Sequence, residues 1–210
     1  MAKILMNDAQ LNRVSAAVTA AEKTTTGEIV PVVVRKSDTY PGARWRIAVT
    51  FSMLCAFALY WALPHHDPIW YLLVQLPALG LGYGFGAAEQ VLRLALAPAV
   101  VQSEVHQRAL QSFLTTSLHE TRERTGILIF VSVLERRVEI LADTGIHAKV
   151  PPGTWDQVVD RMVLRIREQS LEQALIGAIE ECGSILSERF PARAGDNPNE
   201  LSDLVRIEQD

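Results

Sequence analysis

Two apolar runs, Ile47 to Leu63 and Ile69 to Ala88, are separated only by Pro64-His65-His66-Asp67-Pro68, and neither contains an Asp, Glu, Lys or Arg. A bilayer core of roughly 30 Å takes about 20 apolar residues at the helical rise, so the pair reads as a transmembrane hairpin. Helices buried in a soluble core normally keep a polar face, and these runs have none. Basic residues Arg35, Lys36, Arg44 and Arg46 precede the first run and Arg93 follows the second, whereas the connecting loop has no Lys or Arg. That asymmetry places both flanks, and hence both termini, in the cytoplasm of a prokaryotic plasma (inner) membrane. Trp45 at one boundary and Tyr60, Trp61, Trp70 and Tyr71 at the other form the expected aromatic belts.

Within the runs, Ala48, Ser52 and Ala56 recur every fourth residue, and Gly80/Gly84 and Gly82/Gly86 form two small-xxx-small pairs. Such faces admit close helix contact, inside the hairpin or with a membrane protein or second protomer. Pro77 and Gln75 read as a tolerated kink and a locally bonded amide; a transport pathway is the rival reading, and two spans make a thin pore.

The net charge of −4 argues against a nucleic-acid partner, which a basic excess normally advertises. Cys55 and Cys182 lack metal-ligand or CxxC spacing and read as small apolar fillers. Asp8 is placed to cap a helix carrying Leu11, Val14, Val18 and Ala21 on one face. Glu28 to Val34 is a strand, and Pro31, lacking an N–H, suits an edge or a bulge. Residues 89–101 read as an interfacial segment and Gln102 to Arg124 as one long amphipathic helix. Ile127 to Val133 suits a central strand buried on both faces, and Leu134-Glu135-Arg136 turns it into a hairpin with Arg137 to Leu141. Thr154/Gln157 and Ser170/Gln173 have capping-box spacing and open two more helices, the second ending before Pro191. The segments are thus 1–44, 45–88 (the hairpin), 89–101, 102–190, and a polar tail 191–210 loosely ordered until Leu201 to Ile207.

Thr121-Arg-Glu-Arg-Thr-Gly-Ile-Leu-Ile-Phe-Val-Ser132 and Glu135-Arg-Arg-Val-Glu-Ile-Leu-Ala-Asp-Thr-Gly-Ile146 resemble the TPM-domain family; Ala20-Ala21-Glu22 and Thr26-Gly27-Glu28-Ile29 resemble its first helix and strand. The resemblance implies an α/β fold, a small mostly parallel sheet sandwiched by helices, here with the two-helix hairpin inserted after the first strand. Some plant members are described as acid-phosphatase-like and metal-responsive. Where the family commonly has a Gly-aromatic-Gly turn, this chain has Asp143-Thr144-Gly145.

Asp143, at a strand end, with Asp156 and Asp160 downstream, is the best acidic constellation for a hard cation, Ca or Mg. Capping and a solvated helix face explain the same residues. His65-His66 lack a third ligand, and His147 lies near Asp143 in sequence as a base candidate. No Walker, Gly-x-Ser-x-Gly or Cys/His arrangement occurs. The residues favour a membrane-anchored cytoplasmic binding or assembly module, in membrane-protein maintenance, over an enzyme. A weak metal-assisted acid-phosphatase-like hydrolase using Asp143 and a subunit of a transport assembly are the rivals.

Overall fold

The computed structural model describes residues 6–62, 67–192 and 204–208. The chain divides into two compact units: residues 1–37 with 104–210, and residues 38–103.

In the first unit, α1 (Asp8–Glu22) is capped not by Asp8 but by Asn7, one residue earlier. Asn7 Oδ1 accepts from Gln10 N–H at 2.8 Å while Gln10 Oε1 accepts from Asn7 N–H at 2.9 Å, a reciprocal box that satisfies two orphan donors. Strand β1 (Glu28–Val34) follows. The chain returns through the later part of α5 (Pro98–Thr115), then a 3-10 turn (Leu118–Glu120), β2 (Gly126–Ser132), β3 (Arg137–Ala142), the one-turn α6 (Thr144–His147), α7 (Thr154–Glu168), α8 (Leu171–Arg189) and the short β4 (Arg206–Glu208). The sheet order is β3-β2-β1-β4. β1 runs parallel to β2, from Glu28↔Gly126 to Val34↔Ser132, and parallel to β4; β3 is antiparallel to β2. The mostly parallel sheet flanked by helices agrees with the expected architecture.

Pro31 does not put β1 at an edge. β4 pairs only with Val32, Val33 and Val34, so on that side the ladder begins past the proline and no bond is forfeited there.

Alternation assigns the two faces. Ile29, Val33, Ile127, Ile129, Val131 and Val138 share a core with Val14 and Val18 of α1, Met162 of α7, and Leu175, Ile179 and Leu186 of α8. Val30, Val32, Leu128 and Phe130 point the other way and are buried too. His106 of α5 lies 3.2 Å from Glu139, whose strand partner is Phe130, so α5 lies over that second face. The continuous apolar run of β2 is thereby explained: every one of its residues is buried.

The expected helix from Gln102 to Arg124 is shorter and starts earlier. Proline at its first turn begins α5 at Pro98. At the other end the Thr115 and Thr116 hydroxyls both donate to the Ser112 carbonyl and Ser117 takes φ 58°, which stops the helix. Residues 89–101, read as an interfacial segment, hold α4 (Glu89–Ala95) and the start of α5. Helix α7 is capped by Gly153 at φ 81° and not by Thr154, whose hydroxyl donates to the Pro151 carbonyl instead. Ser170 does cap α8, accepting from Gln173 N–H at 3.2 Å.

The second unit holds α2 (Pro41–Ala62), α3 (Pro68–Phe85) and α4. Helices α2 and α3 pack closely where glycine permits: a Cβ on Gly82 would meet the Ala48 Cα at 2.8 Å, and one on Gly86 the Arg44 Cα at 3.3 Å. Ser52 Oγ donates to the Gln75 carbonyl at 3.2 Å across the pair. The Arg44 guanidinium lies 4.1 Å from the Tyr83 ring centre. One helix, α2, is long and apolar enough by itself to cross a membrane among the described residues; α3 reaches that standard only together with α4, from which it is bent by 101°. The second apolar run is therefore not one straight span through Ala88. Most of the loop, with His65 and His66, and tail residues 193–203 lie outside the described residues.

Candidate functional site

Strand register brings two acidic side chains to one end of the sheet. Glu28 opens β1 opposite Gly126, and Asp143 follows the last residue of β3 with its N–H on the Gly126 carbonyl at 2.9 Å. Glu28, Gly126 and Asp143 thus form a row on the face opposite the α1–α8 core. The centre of the row must be glycine: a Cβ on Gly126 would meet the Leu118 carbonyl oxygen at 2.7 Å.

Asp143 is 7% exposed and caps α6. Its Oδ1 accepts from Thr144 N–H at 2.6 Å and from Thr144 Oγ1 at 3.2 Å, and its carbonyl accepts from Ile146 and His147 N–H groups. Oδ2 is buried without a hydrogen bond, and Arg124 Nη1 lies 4.0 Å from it. The turn that presents Arg124 is built by Thr121, whose carbonyl accepts from Arg124 N–H and whose hydroxyl accepts from Thr125 N–H, with Arg124 held at φ 56°. Gly145 N–H then donates to the Arg124 carbonyl at 3.1 Å. A Cβ on Gly145 would stand 2.4 Å from the Glu123 carbonyl oxygen, so the glycine is what lets the two turns meet.

Of the residues singled out by sequence, only Asp143 occupies this place. Asp156 and Asp160 are exposed on the first turns of α7. His147 is exposed and meets Asp143 through its backbone N–H, 3.2 Å from the Asp143 carbonyl. Among the described residues no three His, Cys, Asp or Glu side chains converge, so the three aspartates are not gathered round one point. A hard cation takes six or more oxygens in typical sites, and this donor set does not fit one as a dedicated cage. Glu28 and Arg124 were missed by sequence reasoning. The signal for Arg124 was its place directly before the Thr125-Gly126 entry to β2, whose register with β3 carries it back to Asp143.

What the arrangement offers is a buried carboxylate with one unsatisfied oxygen beside an exposed guanidinium, on a rigid strand end. Residues 91–185, which contain both, match the family model described as TPM domain. The fold is similar to the NMR structure of the BA42 protein from the psychrophilic bacterium Bizionia argentinensis, with a TM-score of 0.63 and 19% identity over 99% of each chain. No curated protein matches the chain.

Proposed function

We propose that this chain, a member of the TPM-domain family, is a membrane-anchored protein whose sheet unit serves in the cytoplasm as a binding or assembly module for membrane-protein maintenance. The observation that carries the membrane part is the surface of α2 and α3. Their small residues face each other, while Trp61 is 71% exposed, Leu76 70%, Met53 65%, and Leu54, Phe57, Leu72 and Leu81 each 61%. Water-facing side chains of that size on both helices would be a large apolar patch, whereas lipid accepts them without cost. The charge asymmetry supports cytoplasmic flanks. Gly80 and Gly84 have no atom within 4 Å of an added Cβ, which leaves a small-residue face for another membrane helix or a second protomer. Reporter fusions test the topology: one inserted at residues 64–68 reads extracytoplasmic and one after Asp210 cytoplasmic, and the reverse pattern sinks the reading. Crosslinking and mass spectrometry of the full chain in its membrane identify the partner; recovery of the chain alone removes the assembly role.

A second reading, an acid-phosphatase-like hydrolase, rests on the unbonded Oδ2 of Asp143; any metal it uses would need oxygens beyond those of this site. Hydrolysis of p-nitrophenyl phosphate by the full chain, with and without Ca²⁺ or Mg²⁺, decides it. Activity that survives Asp143→Asn unchanged rules out this site.

A further inference from the structure

The opposite end of the sheet, where β1 and β2 finish, carries a cavity of about 420 Å³. Its apolar wall is made by Val131 and Val138 of the β2–β3 hairpin and by Val163 and Ile166 of α7. Val131 and Val138 are core residues, so the cavity is a side entrance to the layer between sheet and helices. Around it stand Arg136, Arg137 and Arg167, and among the described residues no acidic side chain lines it. Two nearby carboxylates are committed elsewhere: Glu172 is bound to Arg13, and Glu135 accepts from Ser37 N–H at 2.9 Å and from the Ser132 hydroxyl. Arg136 sits at φ 54° in the tight turn, which holds it and Arg137 at the hairpin tip on the same side as the cavity.

Three guanidiniums around one apolar hollow repel one another, and among the described residues the lining holds no carboxylate to offset them. A ligand that offsets them carries an oxyanion, for which the planar guanidinium fork is suited, and an apolar body to cover the valines and isoleucine. The volume falls in the range of about 300–1,000 Å³ typical of small-molecule sites, and the place is the carboxyl end of parallel strands, where α/β sheets usually take ligands. We infer that this cavity binds a small organic anion, a phosphate or carboxylate head met by Arg136, Arg137 and Arg167 on an apolar body seated against Val131, Val138, Val163 and Ile166. The site is separate from the Asp143 end of the sheet and stands or falls without the membrane reading.

Calorimetric titration tests it, with the full chain in phosphatidylcholine nanodiscs and empty discs as blank. Hexyl phosphate should bind about tenfold or more tighter than inorganic phosphate, because only the former covers the apolar wall. Arg136→Gln with Arg167→Gln should weaken hexyl phosphate by about tenfold or more, whereas Lys23→Gln with Arg189→Gln, equal in charge and placed elsewhere, should leave it unchanged. Arg136→Lys with Arg167→Lys, which keeps the charge and the fold, should give an intermediate loss, and Val163→Phe should reduce hexyl phosphate binding while sparing inorganic phosphate. Absence of hexyl phosphate binding, or an equal loss in the two glutamine pairs, overturns the assignment. So does a chain that ignores hexyl phosphate but associates with phosphatidylglycerol vesicles through the same arginines, which would make them a membrane-surface patch.

Discussion

The Cβ that Gly82 lacks would stand 2.8 Å from the Cα of Ala48, so the α2–α3 pair is held at a separation that glycine alone allows. Gly82→Ala should therefore cost about 1–3 kcal/mol of hairpin packing, since an overpacked contact against backbone cannot relax by a rotamer change. Gly80→Ala and Gly84→Ala, where an added Cβ would meet only open space, should be neutral or slightly favourable for the helix. Thermal unfolding of the purified chain in detergent, read by circular dichroism, separates these variants; equal effects at the three glycines would refute the packing.

Gly145 makes the corresponding prediction in the sheet unit. A methyl group there meets the carbonyl oxygens of Glu123 at 2.4 Å and Arg124 at 2.7 Å, so Gly145→Ala should cost about 2–3 kcal/mol and move the turn that carries Arg124. Asp143→Ala should cost about 1 kcal/mol as a lost helix cap, and Asp143→Asn much less, because an amide oxygen still accepts from Thr144 N–H. The melting temperature should drop most for Gly145→Ala, less for Asp143→Ala and least for Asp143→Asn.

What the sequence shows and what it hides differ by range. Glu28 to Val34 and Ile127 to Val133 are readable as strands because each is a short, mostly branched apolar run between turn signals, and strands β1 and β2 are buried throughout. The end of α5 is hidden because Phe113, Leu114 and Leu118 continue the helical spacing while the stop comes from Thr hydroxyls on the Ser112 carbonyl. Pro31 misleads because a proline excludes a ladder bond at one residue, not along a whole strand, and β4 begins just past it. The Asp143–Arg124 pair depends on the register of β2 with β3, which no local pattern contains. The three-residue β4, arriving after a long polar tail, is too short to have a period.

Arg13 of α1 and Glu172 of α8 bridge two helices through a paired contact, and the Arg13 hydrogen bond holds the Glu172 carboxyl below the usual carboxylate range. A carboxyl with a lowered folded value stabilises the fold above its unfolded value, near pH 4.3, and that contribution disappears as pH falls through the lower folded value. The Arg13 end of the bridge is exposed to water, which screens the pair, so the effect is small. Glu172→Gln should narrow the difference in melting temperature between pH 6 and pH 3, with Glu188→Gln as the control on the exposed side of α8. An unchanged difference would show that the bridge adds nothing.

Cys182 lies at 0% exposure among Val14, Val18 and Ile179, and burial pushes its thiol up to about 12. Its ordinary value is about 8.5, so the unfolded chain releases the proton while the folded chain retains it. The sign follows: below about pH 8 the group contributes nothing that depends on pH, and as pH rises from there toward 12 the unfolded state is favoured progressively. Thiolate is the nucleophile, so at pH 9 iodoacetamide should label Cys182 at least about a hundredfold more slowly in the folded chain than in chain unfolded by guanidinium. Cys182→Ala should flatten the loss of stability between pH 8.5 and 10.5. It should also lower the melting temperature at neutral pH, because the alanine leaves part of the sulfur's volume empty between α1 and α8. Rapid labelling of Cys182 in the folded chain would mean that α8 opens from the sheet often enough to expose its innermost face.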